Sequence, residues 1–191
     1  FVITLVAGIC LGTVHDITLD PIAQAQEAAA TKTYQEVYPD AASFDEPQEL
    51  ADAVTAAADS ISEWGFGKVT INDAKEALDA SGNQIGYLIT STSAESYGGN
   101  VQIAVGISNE GELTGIGFLS ISDTPGLGMR AKEPDFKDQF IGKKAENLEV
   151  TKTGASADNQ IEAISGATIT SKAVTNATDA AIYFVANCLA Q

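Results

Sequence analysis

The hydrophobic pattern changes character twice along the chain. The first fourteen residues, F-V-I-T-L-V-A-G-I-C-L-G-T-V, carry no charge. As a helix rising about 1.5 Å per residue they span roughly 21 Å, against a bilayer core of about 30 Å. The expectation is a transmembrane helix over residues 1–16 whose beginning lies before Phe1, with His15 and Asp16 marking its exit into water. Two other readings stay open: the tail of a cleaved signal peptide, since the length suits an h-region, and a lipoprotein signal at Cys10, which Ile9 disfavours because such signals carry a small residue there. Next comes a helical rhythm. Residues 21–38 read as a helix, capped by Asp20, with Pro21 at its first position and Pro39 as its stop. A second helix is expected from Pro47 to about Ser62, where Leu50, Val54, Ala57, Ala58 and Ile61 recur at helical spacing. Residues 17–64 are thus a helical connecting region.

From Lys68 the pattern turns to short β-type runs broken by Gly, Asn and Ser. The expected strands are Val69–Asn72, Ile85–Thr92, Val101–Ser108 and Leu113–Ile121, with Gly111 in a hairpin loop between the last two. The polar stretch Thr90–Gly99 reads as a connection. A short helix at Asp135–Phe140 and a strand at Glu162–Ile164 follow. A closing helix from about Thr170 to Leu189 carries Ala173, Val174, Ala177, Ala180, Ala181, Phe184 and Val185 along one side. Residues 65–191 therefore predict a single α+β domain, with a mostly antiparallel sheet flanked by helices and preceded by the N-terminal transmembrane helix.

Composition removes several classes of function. The net charge of -16 argues against nucleic-acid binding, which needs a basic face, and against a domain that lies on an anionic membrane surface. Two cysteines, Cys10 and Cys188, cannot hold an iron–sulfur cluster. His15 is the only histidine, which leaves no His-based metal site and no Ser-His-Asp triad. Any difficult chemistry has to come from a cofactor.

Two segments carry candidate chemistry. In I-S-G-A-T-I-T-S-K at residues 164–172, Ser165, Gly166 and Ala167 leave the Thr168 hydroxyl uncovered. Thr170 and Ser171 can cap the helix that follows. A helix start offers free N–H groups and the positive end of the dipole to a phosphate, and Lys172 adds a cation in the first turn. The plain alternative is an ordinary turn and cap. In D-T-P-G-L-G-M-R at residues 123–130, Pro125-Gly126 dictates a tight turn of type II, and Gly128 permits a close backbone approach. A flat apolar ligand can rest on Leu127 while backbone N–H groups meet its polar edge. The plain alternative is an exposed turn with Arg130, the only arginine, in a weak surface ion pair.

Together the motifs S-G-A-T-I-T-S at 165–171, D-T-P-G-L-G at 123–128 and Y-G-G-N-V-Q-I-A-V-G-I at 97–107 resemble the FMN-binding domain family. That family includes the G subunit of the Rnf electron-transport complex and the C subunit of the sodium-pumping NADH:quinone reductase. The resemblance covers essentially the whole chain. It implies FMN joined by a phosphoester to Thr168 by a dedicated FMN transferase, with Ser165, Gly166 and Ala167 lining the attachment turn. It places Thr124, Gly126, Leu127 and Gly128 against the isoalloxazine ring. Members often have Glu where this chain has Asp123, and transferase targets often have Asp where it has Glu162; both keep the charge. The length looks more like the Rnf G subunit than like its quinone reductase counterpart. The resemblance then implies an electron carrier among the other subunits of a membrane Rnf complex, coupling electron flow between reduced ferredoxin and NAD+ to Na+ or H+ movement. Its soluble domain is expected on the extracytoplasmic side of a cell membrane, anchored by one pass. A stand-alone surface flavoprotein for extracellular electron transfer is the rival within flavin chemistry. A non-redox acidic surface module is the rival outside it.

Overall fold

The structure is a computed structural model that describes residues 1–144 and 147–189, apart from the side chains of residues 5, 9, 16, 19, 20 and 23. The chain divides into two compact units, Phe1–Lys32 and Thr33–Gln191. A single helix, α1, runs Val2–Val37, and Pro21 lies inside it. Asp20 and Pro21 therefore do not start a helix as expected. An interior proline removes one helical hydrogen bond and crowds the carbonyl four residues before it, yet the helix runs on through Pro21 into an Ala-rich stretch that favours helix. In the first unit Phe1, Val2, Ile3, Val6, Leu11, Val14 and Ile17 are all exposed. No helix among the described residues is long and apolar enough to cross a membrane.

The second unit is built on one antiparallel meander, β1 (Ser43–Asp45), β2 (Val69–Leu78), β3 (Gln84–Ser96), β4 (Gly99–Ser108) and β5 (Leu113–Ile121), each strand beside the next in sequence. β4 shows why it folds this way. Val101, Ile103, Val105 and Ile107 point to one face and are fully buried, while Gln102, Ala104 and Gly106 present small or polar groups to the other. Helix α4 (Thr168–Phe184) covers the first face, with Ala173, Val174, Ala177, Ala180, Ala181 and Phe184 buried. The Ser91 hydroxyl donates to the Ala177 carbonyl at 2.9 Å, pinning α4 to β3. On the other face the end of α1 is seated by two bonds. Thr114 Oγ1 donates to the Val37 carbonyl at 2.8 Å and the Tyr38 hydroxyl to the Ile85 carbonyl at 2.7 Å.

The antiparallel α+β arrangement agrees with the sequence pattern, and several boundaries differ. β2 runs on to Leu78 because both its faces stay covered, Ala74 in the main core and Ala77 against Tyr38 and Ala41 on the other side, and Lys75 is paired with Asp73 and Glu46. β3 continues past the expected strand end at Thr92 to Ser96, so residues 93–96 are strand and not connection, and Thr90, Ser91 and Ser93 are buried. Only Tyr97 and Gly98 form the β3–β4 turn. Helix α2 spans Gln48–Ala57 and a separate 3-10 turn, Ile61–Glu63, follows it. The expected helix at 135–140 is a short α-turn, α3 (Pro134–Lys137), passing into a 3-10 turn. β7 (Gln160–Glu162) pairs in parallel with an unanticipated strand, β6 (Glu149–Thr151).

The strand β6 and its flank lie over α4, which brings a carboxyl into the interior. Asp179 is 5% exposed, and its Oδ1 accepts the Leu148 amide at 2.9 Å. Burial pushes its pKa up to about 7, against the opposing pull of the Leu148 bond. With the folded-state pKa above the ordinary aspartate value of about 4, the native chain keeps a proton that the unfolded chain releases. The stability contributed is complete below the unfolded value and is lost as the pH rises towards about 7. Asp179→Asn keeps an acceptor for Leu148. We expect it to flatten the decline in urea midpoint that the parent protein shows between pH 5 and pH 8; equal slopes in the two proteins would contradict the assignment.

Candidate functional site

Past β5 the chain turns sharply. Pro125 sets the first central dihedral, Gly126 takes φ +74°, and the Leu127 amide donates to the Thr124 carbonyl at 3.1 Å. These are the marks of a type II turn. The Met129 amide reaches the same carbonyl at 3.2 Å.

The residue before this turn is its anchor. Asp123 is 9% exposed. Its Oδ2 accepts the Ser96 hydroxyl at 2.7 Å and the Thr170 hydroxyl at 2.7 Å. Its Oδ1 accepts the Thr124 amide at 2.7 Å. Burial pushes the carboxyl up, but the bonds from Ser96 and Thr170 and from the Thr124 and Gly98 amides outweigh it and hold the pKa below the ordinary carboxylate value. Asp123 is therefore ionised at neutral pH. A Cβ on Gly128 would stand 2.2 Å from the Asp123 carboxyl carbon, so the close approach that Gly128 permits is to this carboxylate.

On the far side, β7 leads through Ile164-Ser165-Gly166-Ala167 into α4. Gly166 takes φ +80°, and a Cβ there would lie 3.1 Å from Leu127 Cδ2, so the two loops touch. α4 begins at Thr168, two residues earlier than expected, with Ala167 at its cap and no side-chain capping bond. Thr170 and Ser171 are thus not caps. Thr170 is committed to Asp123, and the Ser171 hydroxyl donates to the Ala167 carbonyl and accepts the Ile164 amide, each at 3.0 Å. The amides of Thr168, Ile169 and Thr170 fall in the first turn, where a helix has no internal acceptors to offer. The Thr168 hydroxyl is half-buried and has no hydrogen-bond partner among the described residues.

These parts enclose a cleft of about 500 Å³ lined by Tyr97, Asp123, Thr124, Leu127, Gly128, Gly166, Ala167, Thr168, Ile169 and Thr170. That size is normal for a small-molecule site. Of the residues singled out from the sequence, Thr124, Leu127, Gly128, Gly166, Ala167, Thr168 and Thr170 meet here. Gly126 shapes the turn without lining the cleft. Ser165 faces a neighbouring recess with Arg130 and Glu162, and Arg130 pairs there with Glu133 at 3.3 Å. Lys172 is exposed and outside the lining. Sequence reasoning did not place Asp123, Tyr97 and Ile169 in the site. Tyr97, Leu127 and Ile169 are all exposed, an apolar rim on an acidic molecule. Two apolar side chains beside glycine turns were the available signal.

The residues fit FMN. An unpartnered hydroxyl and free amides at the start of a 17-residue helix suit a phosphoryl group, and the apolar rim suits a flat ring. The FMN-binding domain pattern matches residues 96–183, which include the β3–β4 turn, the type II turn and the start of α4. Over 195 residues the chain is 35% identical to the G subunit of the Na(+)-translocating ferredoxin:NAD(+) oxidoreductase complex of Acetobacterium woodii, covering 98% of this chain and 88% of that one. It is 29% identical to the G subunit of an ion-translocating oxidoreductase complex from Shewanella baltica, covering 100% of this chain and 90% of that protein. A crystal structure of Shewanella oneidensis NqrC aligns with a TM-score of 0.48 and 19% identity, over 58% of this chain and 54% of that one. Fold and site define an FMN-binding domain. The chain belongs to the family formed by the G subunits of ion-translocating oxidoreductase complexes.

The two glycines of the loop have different jobs, and this is measurable. Gly126→Ala places a side chain in open space but at positive φ, a cost of about 1 kcal/mol. Gly128→Ala drives a methyl into Asp123, a cost of about 3 kcal/mol. In thermal unfolding the second variant should lose clearly more stability; the reverse order would show that Asp123 is not wedged against this glycine.

Proposed function

We propose that this chain is the electron-carrying G subunit of a membrane-bound, ion-translocating ferredoxin:NAD+ oxidoreductase, and that it holds FMN through a phosphoester on Thr168. The observation that carries the reading is the Thr168 hydroxyl itself: unpartnered among the described residues, at the first position of α4, and opening into the cleft. Esterification joins this oxygen to the phosphorus of an activated FMN donor; the hydroxyl proton and the donor's leaving group depart, in a reaction assigned to an FMN transferase. The amides of the first turn then donate to the phosphoryl oxygens. Leu127, Tyr97 and Ile169 cover apolar surface of the ring, and the Thr124–Leu127 turn holds Leu127 in place. Gly126 fixes that turn, while Ser165 and Lys172 flank the attachment point from outside the cleft. Bound FMN supplies a centre that takes up one or two electrons. None of these side chains has to act as an acid or a base.

Residues 65–191 form the flavin domain in this reading, residues 17–64 the connection and residues 1–16 the membrane anchor, with the flavin domain on the extracytoplasmic side. The exposed apolar side chains of the first unit support the anchor. The partners are the other subunits of the complex, in keeping with the relatives' names.

Co-expression with an FMN transferase, denaturing electrophoresis and in-gel flavin fluorescence test the attachment. The parent chain and Thr168→Ser should fluoresce and Thr168→Ala should not. Fluorescence that survives Thr168→Ala would move the bond elsewhere, and a dark parent chain would remove the flavin reading altogether.

A further inference from the structure

The cleft has a free helix start but no cation. Among its lining residues there is neither Lys nor Arg, and one of them is an ionised carboxylate, Asp123. The carboxylate shares the first turn of α4 with Thr168, since Thr170 Oγ1 donates to it at 2.7 Å. A helix N-terminus is worth roughly +0.5 of an elementary charge, and a full negative charge on Asp123 more than cancels it. Lys172, one turn further along α4, is exposed and solvated, so its charge is screened. A phosphate monoester carries about -1.5 to -2 charges at pH 7, whereas a phosphodiester carries one.

We infer that Asp123 is a specificity residue of the cleft: its fixed charge bars the free phosphate monoester FMN, and the site admits the phosphoryl group only as the singly charged ester of Thr168. The inference rests on the flavin reading given above. The covalent bond replaces the attraction that a cationic site would supply, because tethering raises the local concentration of the flavin without any favourable charge. Free FMN then cannot occupy the cleft ahead of the transferase.

The test uses the full chain made without a transferase, and compares riboflavin, which has the ring and no phosphate, with FMN by quenching of flavin fluorescence at pH 7.5. The variant is Asp123→Asn. An amide nitrogen at the Oδ2 position can donate to both Ser96 and Thr170, whose hydroxyls rotate to accept, while Oδ1 still accepts the Thr124 amide. Thermal unfolding confirms that the variant is folded. Should it not be, the parent chain decides alone: FMN bound more tightly than riboflavin there overturns the inference, and FMN bound no more tightly upholds it.

The parent chain is expected to bind FMN no more tightly than riboflavin, and Asp123→Asn to shift the preference towards FMN by about tenfold, the size of one nearby charge in a half-buried site. An FMN preference in the parent chain overturns the inference. So does an unchanged ratio in Asp123→Asn, or failure of that variant to bind FMN at all. Each of these results leaves the in-gel fluorescence test untouched, so the charge filter and the flavin attachment fail separately.

Discussion

The site depends on one carboxylate that is bonded from three directions. Ser96 ends β3, Asp123 follows β5, and Thr170 sits in the first turn of α4. Residues 96, 123 and 170 are far apart in the chain, and the side chain of Asp123 draws them to one place. Burial alone would make the charged form unfavourable, yet the hydrogen bonds more than offset it, as the lowered pKa records. A carboxylate takes both hydroxyls as donors on one oxygen and a backbone amide on the other, so all three groups point their hydrogens at Asp123. The loop is then free to be built of glycine and proline, because its position is set from outside.

The sheet and α4 place that junction. β4 presents its large residues to α4 and its small ones to the end of α1. The helix therefore lies across β3 and β4 at close range, fixed by Ser91 on the Ala177 carbonyl. Its own polar residues turn inward without loss: Thr175 and Thr178 donate to the carbonyls four residues before them at 3.0 Å. With its body held in this way, the first turn meets the β3–β4 turn and the 123–128 loop at the cleft. The free amides of the first turn and the Thr168 hydroxyl open into that cleft.

How far the sequence foretold this differs from part to part. Strands β2 to β5 were legible from their short apolar runs and the glycines between them, whereas β1, three residues long, was not. The end of β3 at 93–96 reads as connection because Ser and Glu there look like loop residues, while the Ala177 carbonyl of the facing helix is what makes the inward Ser91 hydroxyl favourable. The start of α1 was misread at Pro21, where a strong local rule lost to the helix propensity of its neighbours. β6 was missed because three residues, Glu149–Thr151, are too few to show a period. In the site, the attachment turn and the type II turn could be read from their glycines, whereas Asp123 could not. Next to T-P-G-L-G it looks like any acid that opens a turn. Its role lies in partners 27 and 47 residues away, and no local pattern encodes them.

The rim of the cleft bears on what the site is for. A chain with a net charge of -16 has polar residues to spare, yet it leaves Tyr97, Leu127 and Ile169 uncovered at one spot. They sit on three different turns, each held by the Asp123 junction or adjacent to it, so their clustering is a product of the fold and not of one apolar run. Isolated exposed hydrophobic side chains need no explanation. Three that converge on a concave, cation-free cleft beside a bare hydroxyl do call for one. A flat, largely apolar ring tethered by its phosphate answers both halves of that arrangement: the ring covers the rim, and the bond to Thr168 makes charge attraction unnecessary.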